Sequence, residues 1–183
     1  MERRLAAILC ADMFGYSRLV EANEQGVLDR QKAHRRELID PEIERNRGRI
    51  VKTTGDGLLA EFDTANDAVR CAIDIQAAMR QREPASLKDQ RIQYRIGINV
   101  GDLMFDDGDV FGDAVNIASR IESLGEPGAA SASPTWCIRS FGTGCTSRFA
   151  IWVCSGSKTS PVPFGFGSGR PMPTMRMPAK WRR

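Results

Sequence analysis

Two aspartates in this sequence follow or divide apolar stretches of strand length, and both are placed to bind a cation. Asp12 ends the run Leu5–Ala11, and Asp56 stands at the tip of a hairpin predicted over Arg49–Phe62. If the strands are neighbours in one sheet, the two carboxylates meet at the same edge. Two hard oxygen ligands without His or Cys suit Mg²⁺ or Mn²⁺, which commonly retain water and bind substrate phosphates. An aspartate in a turn also simply hydrogen-bonds its own backbone, so neither residue is diagnostic alone.

Other polar residues have the types and spacing needed to hold a phosphate and the charge that develops on it. Gly15, three residues after the first aspartate, lets backbone N–H groups approach a phosphate closely. Asn116 and Arg120 are four residues apart and therefore share one face of a predicted helix. An amide and a guanidinium in that position could stabilise developing charge. Lys52 precedes the hairpin turn, and its simpler interpretation is a solvated strand residue.

The elements that must position these residues alternate in type along the chain. Apolar or alternating runs predict five strands, at 5–11, 49–54, 58–62, 92–100 and 103–105. Apolar residues at helical spacing predict three main helices, at about 24–45, 65–79 and 113–123. Ser17, Thr64 and Asp113 are candidate helix caps, and Pro41 marks a break. Short hairpins mixed with helices predict an α+β sandwich, one sheet with helices packed on a face.

Composition excludes several classes of protein. A chain of 183 residues suits one domain with a substantial core and a tail. It has no apolar run of membrane-spanning length and no apolar signal segment at its start, which favours the cytoplasm. Five cysteines without a CxxC pair argue against a disulfide framework or a zinc site. The single histidine, His34, excludes a histidine-metal cluster, and we expect it to be solvated.

The net charge of +3 combines two segments of opposite character. Residues 129–183 contain six Arg, two Lys and no Asp or Glu, a balance of +8, whereas residues 1–128 carry 18 basic and 23 acidic side chains, a balance of −5. The tail also contains all three tryptophans. Such a basic tail can bind nucleic acid, but we consider this the weaker explanation and do not expect nucleic acid as a partner.

Four segments together resemble the class III nucleotidyl cyclase catalytic domain, the adenylate and guanylate cyclases. They are LAAILCADMFGYS, GRIVKTTGDGLLAEF, YRIGINVGDL and DGDVFGDAVNIASRIE, in the family's order, and they cover roughly residues 5–128. The opening is similar to bacterial members in which the cyclase domain begins the chain. The resemblance implies a ferredoxin-like βαβ sandwich and the conversion of ATP to 3′,5′-cyclic AMP and pyrophosphate, in signal transduction.

The resemblance also implies roles at the metal and phosphate end of the site. Asp12 and Asp56 match the two aspartates that hold two Mg²⁺ or Mn²⁺ ions per site. The residues that match the portion contacting metal and triphosphate are Met13, Gly15, Tyr16 and Ser17.

Four further residues match the family's nucleoside-binding and catalytic positions. Lys52 and Asp109 match the pair that selects the base, and Asn116 and Arg120 match the pair that orients the ribose and stabilises the transition state. Adenine offers an acceptor and a donor that suit Lys and Asp, whereas guanine reverses both, so we expect ATP as substrate. In the family, the site forms between two protomers of a head-to-tail dimer, which implies a homodimer here.

After Gly128 the chain departs from the family pattern. Codons compatible with residues 129–134, 148–156 and 157–166, regrouped in one shifted register, permit family-like segments. We therefore hypothesise that residues from about 129 onward are a frameshifted translation. The expected organisation is an incomplete cyclase domain at 1–128 and a disordered tail at 129–183, with the C-terminal strands missing or disordered and activity impaired.

Two other functions are compatible with the same residues. One is a catalytically inactive module that binds nucleotide or dimerises in signalling, which the aberrant tail favours. The other is a polymerase-like palm domain, which shares two-metal chemistry. The helix motif DAVNIASR argues against the palm domain because it is specific to the cyclases.

Overall fold

The computed structural model describes residues 2–83, 90–106, 109–128, 130–132, 149–155 and 158–162. Its strands are β1 Glu2–Met13, β2 Gly48–Thr54, β3 Gly57–Phe62, β4 Tyr94–Asp106, β5 Asp109–Phe111, β6 Ala130–Ala132, β7 Phe149–Ser155 and β8 Lys158–Val162. Its α-helices are α1 Tyr16–His34, α2 Asp40–Arg45, α3 Ala65–Arg82 and α4 Asp113–Leu124, and a π-helical turn, Arg35–Ile39, joins the first two. No helix in these described ranges is long and apolar enough to cross a membrane.

All the described strands belong to one sheet of order β2-β3-β1-β4-β6-β7-β8, with β5 paired to β4. The central strand β1 is antiparallel to both β3 and β4. The register pairs Ala11 with Leu58 of β3 and with Ile96 of β4. The hairpin turn between β2 and β3 is therefore held next to the end of β1, as the sequence predicted.

Alternation along β1 divides the core between the two faces of the sheet. Ala7, Leu9 and Ala11 face the larger core, which α1, α2 and α3 cover. Ala6 and Ile8 face a smaller core that lies under α4. The α+β sandwich is confirmed, but helices cover both faces, because α4 packs on the side opposite to the other three.

The first helix differs in detail from the prediction. It begins at Tyr16, with Gly15 at φ 69° as its N-cap, so Ser17 lies inside the helix and does not cap it. Asn23 interrupts it with an extended backbone, and its Oδ1 accepts a hydrogen bond from the N–H of Gly26 at 3.0 Å. A short helix thus precedes the longer one that was predicted from residue 24. Pro41 stands in the first turn of α2, where its missing N–H costs nothing.

Two further boundaries were wrong in the prediction. The strands predicted at 92–100 and 103–105 are one continuous strand, β4, which begins at Tyr94, because β1 pairs with it without interruption from Glu2 to Met13. Gly112, at φ 144°, is the N-cap of α4, and Asp113 is its first residue. Thr64 caps α3 as predicted, since its Oγ1 accepts from the N–H of Asp67 at 3.2 Å.

His34 is buried, contrary to the expected solvated role. It is 2% exposed, and its Nε2 lies 3.1 Å from Oε1 of Glu83, which ends α3. Glu83 also accepts hydrogen bonds from Arg30 at 3.0 Å and from the N–H of Ile92 at 3.2 Å. Burial alone would raise the pKa of Glu83, but its hydrogen bonds and the charges of His34 and Arg30 outweigh burial and lower it. This carboxylate ties α1, α3 and the approach to β4 together.

The C-terminal strands differ from the expectation that they are missing or disordered. β6 pairs in parallel with β4, β7 pairs in parallel with β6, and β8 closes a hairpin with β7. The segment Phe149–Ser155 is rich in aromatic and β-branched residues, which favour a strand whatever the origin of the sequence. Pro161 lies in β8, the last strand of the described sheet, where a missing N–H is tolerated. The predicted tail spans 129–183, and its other residues, 129, 133–148, 156–157 and 163–183, lie outside the described part of the chain.

Candidate active site

The two aspartates converge at one edge of the sheet. Asp12 lies one residue before the end of β1, and Asp56 lies in the β2–β3 turn that the register places beside it. Burial raises the pKa of Asp56, and the charge and side chain of Asp12 raise it further. The two carboxylates are therefore close enough to repel each other, which is the arrangement that a bound cation relieves.

Glycine and a hydrogen bond from α1 hold the turn against β1. A Cβ added to Gly57 would lie 2.9 Å from the carbonyl oxygen of Ala11 and 3.3 Å from Oδ1 of Asp12. Only a glycine therefore lets the hairpin approach the strand so closely. Gly55 has a φ of 53°, and its carbonyl oxygen accepts a hydrogen bond from Nε2 of Gln31 at 3.0 Å. The turn that carries Asp56 is thus fixed from two sides.

The donor set at this edge fits a magnesium or manganese ion. Within the described residues, no group of three or more His, Cys, Asp or Glu side chains is arranged to hold a metal. Two carboxylates alone leave most coordination positions for water and substrate oxygens, which is how proteins commonly hold Mg²⁺. Asp12 and Asp56 would be the residues that hold it.

An arginine and a glutamate that the sequence analysis missed complete this edge. Arg95, the cross-strand partner of Asp12 on β4, donates from Nη2 to Oδ2 of Asp12 at 3.0 Å. Its Nε lies 2.8 Å from Oε1 of Glu122 on α4, although the two atoms lack the alignment of a hydrogen bond. Burial raises the pKa of Glu122 to about 7; the charge of Arg95 opposes the shift, and those of Asp12 and Asp56 add to it. The sequence signal for Glu122 was its position: it lies four residues after Ala118, on the side of the helix where an apolar residue is expected.

Lys52 and Asp109 meet across the sheet from β2 and β5. Nζ of Lys52 lies 3.7 Å from Oδ1 of Asp109, and the two side chains are 57% and 50% exposed. A β-bulge determines the direction of the lysine: Ile50 pairs with Ala60, Lys52 pairs with Leu59, and Val51 is the extra residue. A regular ladder continuing from Ile50 would pair Lys52 with Leu58 and turn it to the face that α1–α3 cover.

Asn116 and Arg120 lie on the exposed side of α4, opposite to Ala114 and Ala118. Their side chains make no hydrogen bond or ion pair with the described part of the chain. In particular, neither contacts Asp12 within this chain. The structure therefore places the predicted pair on one face, as expected, but separates it from the acid pair.

The residues assigned to the phosphates, Met13, Gly15, Tyr16 and Ser17, span the end of β1 and the start of α1. Met13 is 1% exposed and ends β1, while Gly15 caps the helix that begins with Tyr16. Tyr16 packs against the larger core, and Ser17 is exposed. The first turn of α1 contains no acidic residue, so its N–H groups offer a positive end near the acid pair.

Solved structures of cyclases resemble this fold, and two of them illustrate the likeness. An adenylate/guanylate cyclase/hydrolase from Silicibacter pomeroyi has 54% sequence identity and a TM-score of 0.66, covering 84% of this chain and 76% of that chain. The guanylyl cyclase Cya2 has 25% identity and a TM-score of 0.70, covering 87% of this chain and 89% of that one.

Sequence relatives agree with the structural comparison. "Putative adenylate cyclase 3" of Rhizobium meliloti (strain 1021) is 45% identical over 133 residues, which are 73% of this chain and 23% of that protein. An adenylate cyclase of Streptomyces coelicolor is 34% identical over 125 residues, 68% of this chain and 31% of its own length. The chain thus spans less than a third of these curated relatives.

The model of the adenylate and guanylate cyclase catalytic domain matches residues 3–138, which is more than half of the chain. This match and the sequence relatives agree with the resemblance of the four sequence segments, and the two solved structures agree with the fold. The chain therefore belongs to the adenylate and guanylate cyclase catalytic domain family.

Proposed function

We propose that this chain is an adenylate cyclase domain, which converts ATP to 3′,5′-cyclic AMP and pyrophosphate. The observation that carries the proposal is the convergence of the Asp12 and Asp56 carboxylates, from β1 and the β2–β3 turn, at one sheet edge. Several relatives bear the name adenylate cyclase, which supports the choice of reaction. We also propose a cytoplasmic location, because ATP is the proposed substrate.

The acid pair would hold two Mg²⁺ or Mn²⁺ ions. Bound there, the ions would supply Lewis acidity that lowers the pKa of the ribose 3′-hydroxyl and neutralises the leaving pyrophosphate. The chain contributes the fixed position of the carboxylates, since Gly57 and Gln31 lock the turn. The N–H groups at the start of α1 would receive the triphosphate, together with Met13, Gly15, Tyr16 and Ser17 as the resemblance implies.

The Lys52–Asp109 pair would read the base. Nζ of Lys52 would donate to N1 of adenine, and the Asp109 carboxylate would accept from the exocyclic amine. Guanine would present a donor to the lysine and an acceptor to the aspartate, so both protein groups would stay unpaired. Because a hydrogen-bonding site rejects an analogue that leaves its groups unpaired, this pair favours ATP over GTP.

Asn116 and Arg120 would act across a dimer interface. Their side chains make no polar contact with the acid pair of the same chain, yet they are exposed and share one face of α4. A second copy placed head to tail would bring them to the Asp12–Asp56 edge of its partner, where the amide orients the ribose and the guanidinium stabilises the pentacovalent charge. A homodimer would then hold two complete sites.

Formation of cyclic AMP by the purified chain tests this proposal. With Mn²⁺ and ATP, we expect cyclic AMP to appear, and Asp12→Asn or Asp56→Asn to abolish it. Asp102→Asn is the matched control, because Asp102 is an exposed aspartate on β4 whose one ion pair within the described residues is with Arg3. Binding of ATP without any product would support the second candidate, an inactive nucleotide-binding or dimerisation module.

We also infer that residues from about 129 onward are a frameshifted translation. The acid-free composition of 129–183 supports this inference, although the family match continues past residue 129 and ends at residue 138. Sequencing the coding DNA tests it. A single uninterrupted frame, without an insertion or deletion near codon 129, would refute it.

A further inference from the structure

Arg95 bridges two carboxylates that the proposed reaction uses differently. Its guanidinium contacts Asp12, a proposed ion ligand, at 3.0 Å and Glu122, which has no proposed role, at 2.8 Å. The side chain of Arg95 is 20% exposed, and that of Glu122 is 9% exposed. Arg95 is thus partly buried between Asp12, which would bind a metal ion in the proposed reaction, and Glu122, which would not.

The position of Glu122 is fixed by close packing between α4 and β4. A Cβ added to Gly97 would lie 2.3 Å from the N–H nitrogen of Glu122 and 2.8 Å from its Cα. The helix backbone therefore rests directly on the strand beside Arg95. The close packing holds the backbone of Glu122 beside Arg95, so its carboxylate stays within reach of the arginine when Asp12 is engaged elsewhere.

Acidic side chains outnumber basic side chains at this edge. Asp12, Asp56 and Glu122 are three acids around one arginine, and among the described residues no other basic side chain contacts any of the three. A divalent ion at Asp12 competes with Arg95 for the same carboxylate. Without Glu122, an Arg95 that lost Asp12 would keep only the carbonyl oxygen of Ser123, at 3.5 Å, and the ring of Phe14, and its partly buried charge would have no carboxylate partner, which is unfavourable. Glu122 provides the second partner that makes the exchange possible.

We propose that Glu122 is a positioning residue that holds Arg95 when divalent ions take Asp12. It thereby lowers the free-energy cost of releasing Asp12 and keeps a cation at the edge of the site. This inference rests on the proposed function only in treating Asp12 and Asp56 as the ion-binding pair.

Binding of Mn²⁺ to the purified chain without nucleotide tests the inference. The probe is the electron paramagnetic resonance signal of free Mn²⁺, and the variants are Glu122→Gln, Arg95→Gln and the double variant. We expect Glu122→Gln to weaken Mn²⁺ binding about 5- to 10-fold, as is typical of coupled sites, and Arg95→Gln to strengthen it. In the Arg95→Gln background, Glu122→Gln should change the affinity less than about twofold, because its partner is gone.

Glu61→Gln is the matched control. Glu61 is also a buried carboxylate between two arginines, Arg4 at 3.1 Å and Arg49 at 2.9 Å, but it lies away from the acid pair. It should leave Mn²⁺ affinity unchanged.

Three outcomes separate the inference from the proposed function. If the wild-type chain binds Mn²⁺ and Glu122→Gln binds it equally well, the inference is wrong and the proposed function stands. An equally large effect of Glu122→Gln with and without Arg95 also overturns it, since Glu122 would then act only through its long-range charge. If wild type binds no Mn²⁺, the ion-binding assignment itself fails, and the inference fails with it.

Discussion

Gly97→Ala would displace α4 from the sheet, and the size of the displacement follows from the structure. The added Cβ would lie 2.2 Å from the carbonyl oxygen of Ala118 and 2.3 Å from the nitrogen of Glu122. Because Cβ atoms do not approach other heavy atoms closer than about 3.0 Å, the helix must move by at least about 0.8 Å. Both neighbours are backbone atoms, so no change of side-chain rotamer relieves the overlap.

Stability and rate should respond to this displacement by different amounts. Overpacking of this kind costs about 1–3 kcal/mol, which shifts the unfolding midpoint by roughly 2–9 °C for a chain of this size. The same helix carries Asn116 and Arg120. Because misplacing catalytic groups by about 1 Å can lower the rate about 100-fold, we expect kcat to fall by roughly two orders of magnitude in a chain that remains folded.

The assay compares kcat for cyclic AMP formation with the thermal unfolding midpoint. Ile75→Ala is the control, because Ile75 is 1% exposed in the core under α3, on the other face of the sheet. That variant should lose about 2–5 kcal/mol of stability with little change in kcat. If Gly97→Ala and Ile75→Ala lower kcat equally, the position of α4 does not control the rate and the reasoning is refuted.

Three further predictions concern the base, the dimer and acid stability. Asp109→Ala should lower the ratio of kcat/KM for ATP to that for GTP at least about tenfold, because the adenine amine loses its acceptor; an unchanged ratio would contradict the base-reading role. Mixing inactive Asp56→Asn and Arg120→Ala chains should restore cyclic AMP formation, since each mixed dimer has one intact site; no recovery would argue against a shared site. The pKa of Glu83 is lowered in the folded chain, so the stability that its carboxylate contributes is fully present above its ordinary pKa of 4.5 and is lost as the pH falls through the lower folded pKa. In Glu83→Gln, the urea midpoint of unfolding should therefore depend less on pH over that range; an unchanged pH dependence would contradict this role.

The sequence predicted the parts of the site that depend on local pattern. The apolar run before Asp12 and the glycines around Asp56 defined two strand ends, and neighbouring strands made their convergence a reasonable expectation. Asn116 and Arg120 share a face because helical periodicity alone requires it. The strand ends and the helix face each depend on residues close together in the sequence, and only the convergence of Asp12 with Asp56 needed an assumption about which strands are neighbours.

The missed features depend on contacts between distant segments. Arg95 meets Asp12 across 83 residues of sequence, and only the register of β1 against β4 brings them together. The bulge at Val51 has no sequence signal either, because its neighbours, Ile50 and Lys52, are neither glycine nor proline. His34 was misjudged for the same reason, since its partner Glu83 ends another helix. A polar residue is assigned to the solvent-exposed surface from sequence alone, because the partner that would let it be buried is far away in the sequence.

Helix α4 connects two sites that one chain cannot complete alone. Its exposed face carries Asn116 and Arg120, which make no polar contact with their own acid pair, whereas its buried face carries Glu122 against Arg95 and Asp12. In a head-to-tail dimer these two faces would serve different sites. A shift of α4 that changes the hold of Glu122 on Arg95 at one site would therefore move Arg120 at the other. Since Gly97 leaves no space between this helix and β4, a change at Glu122 cannot be absorbed by a gap beneath the helix, and we predict that Mn²⁺ binding at one site changes the position of Arg120 at the other.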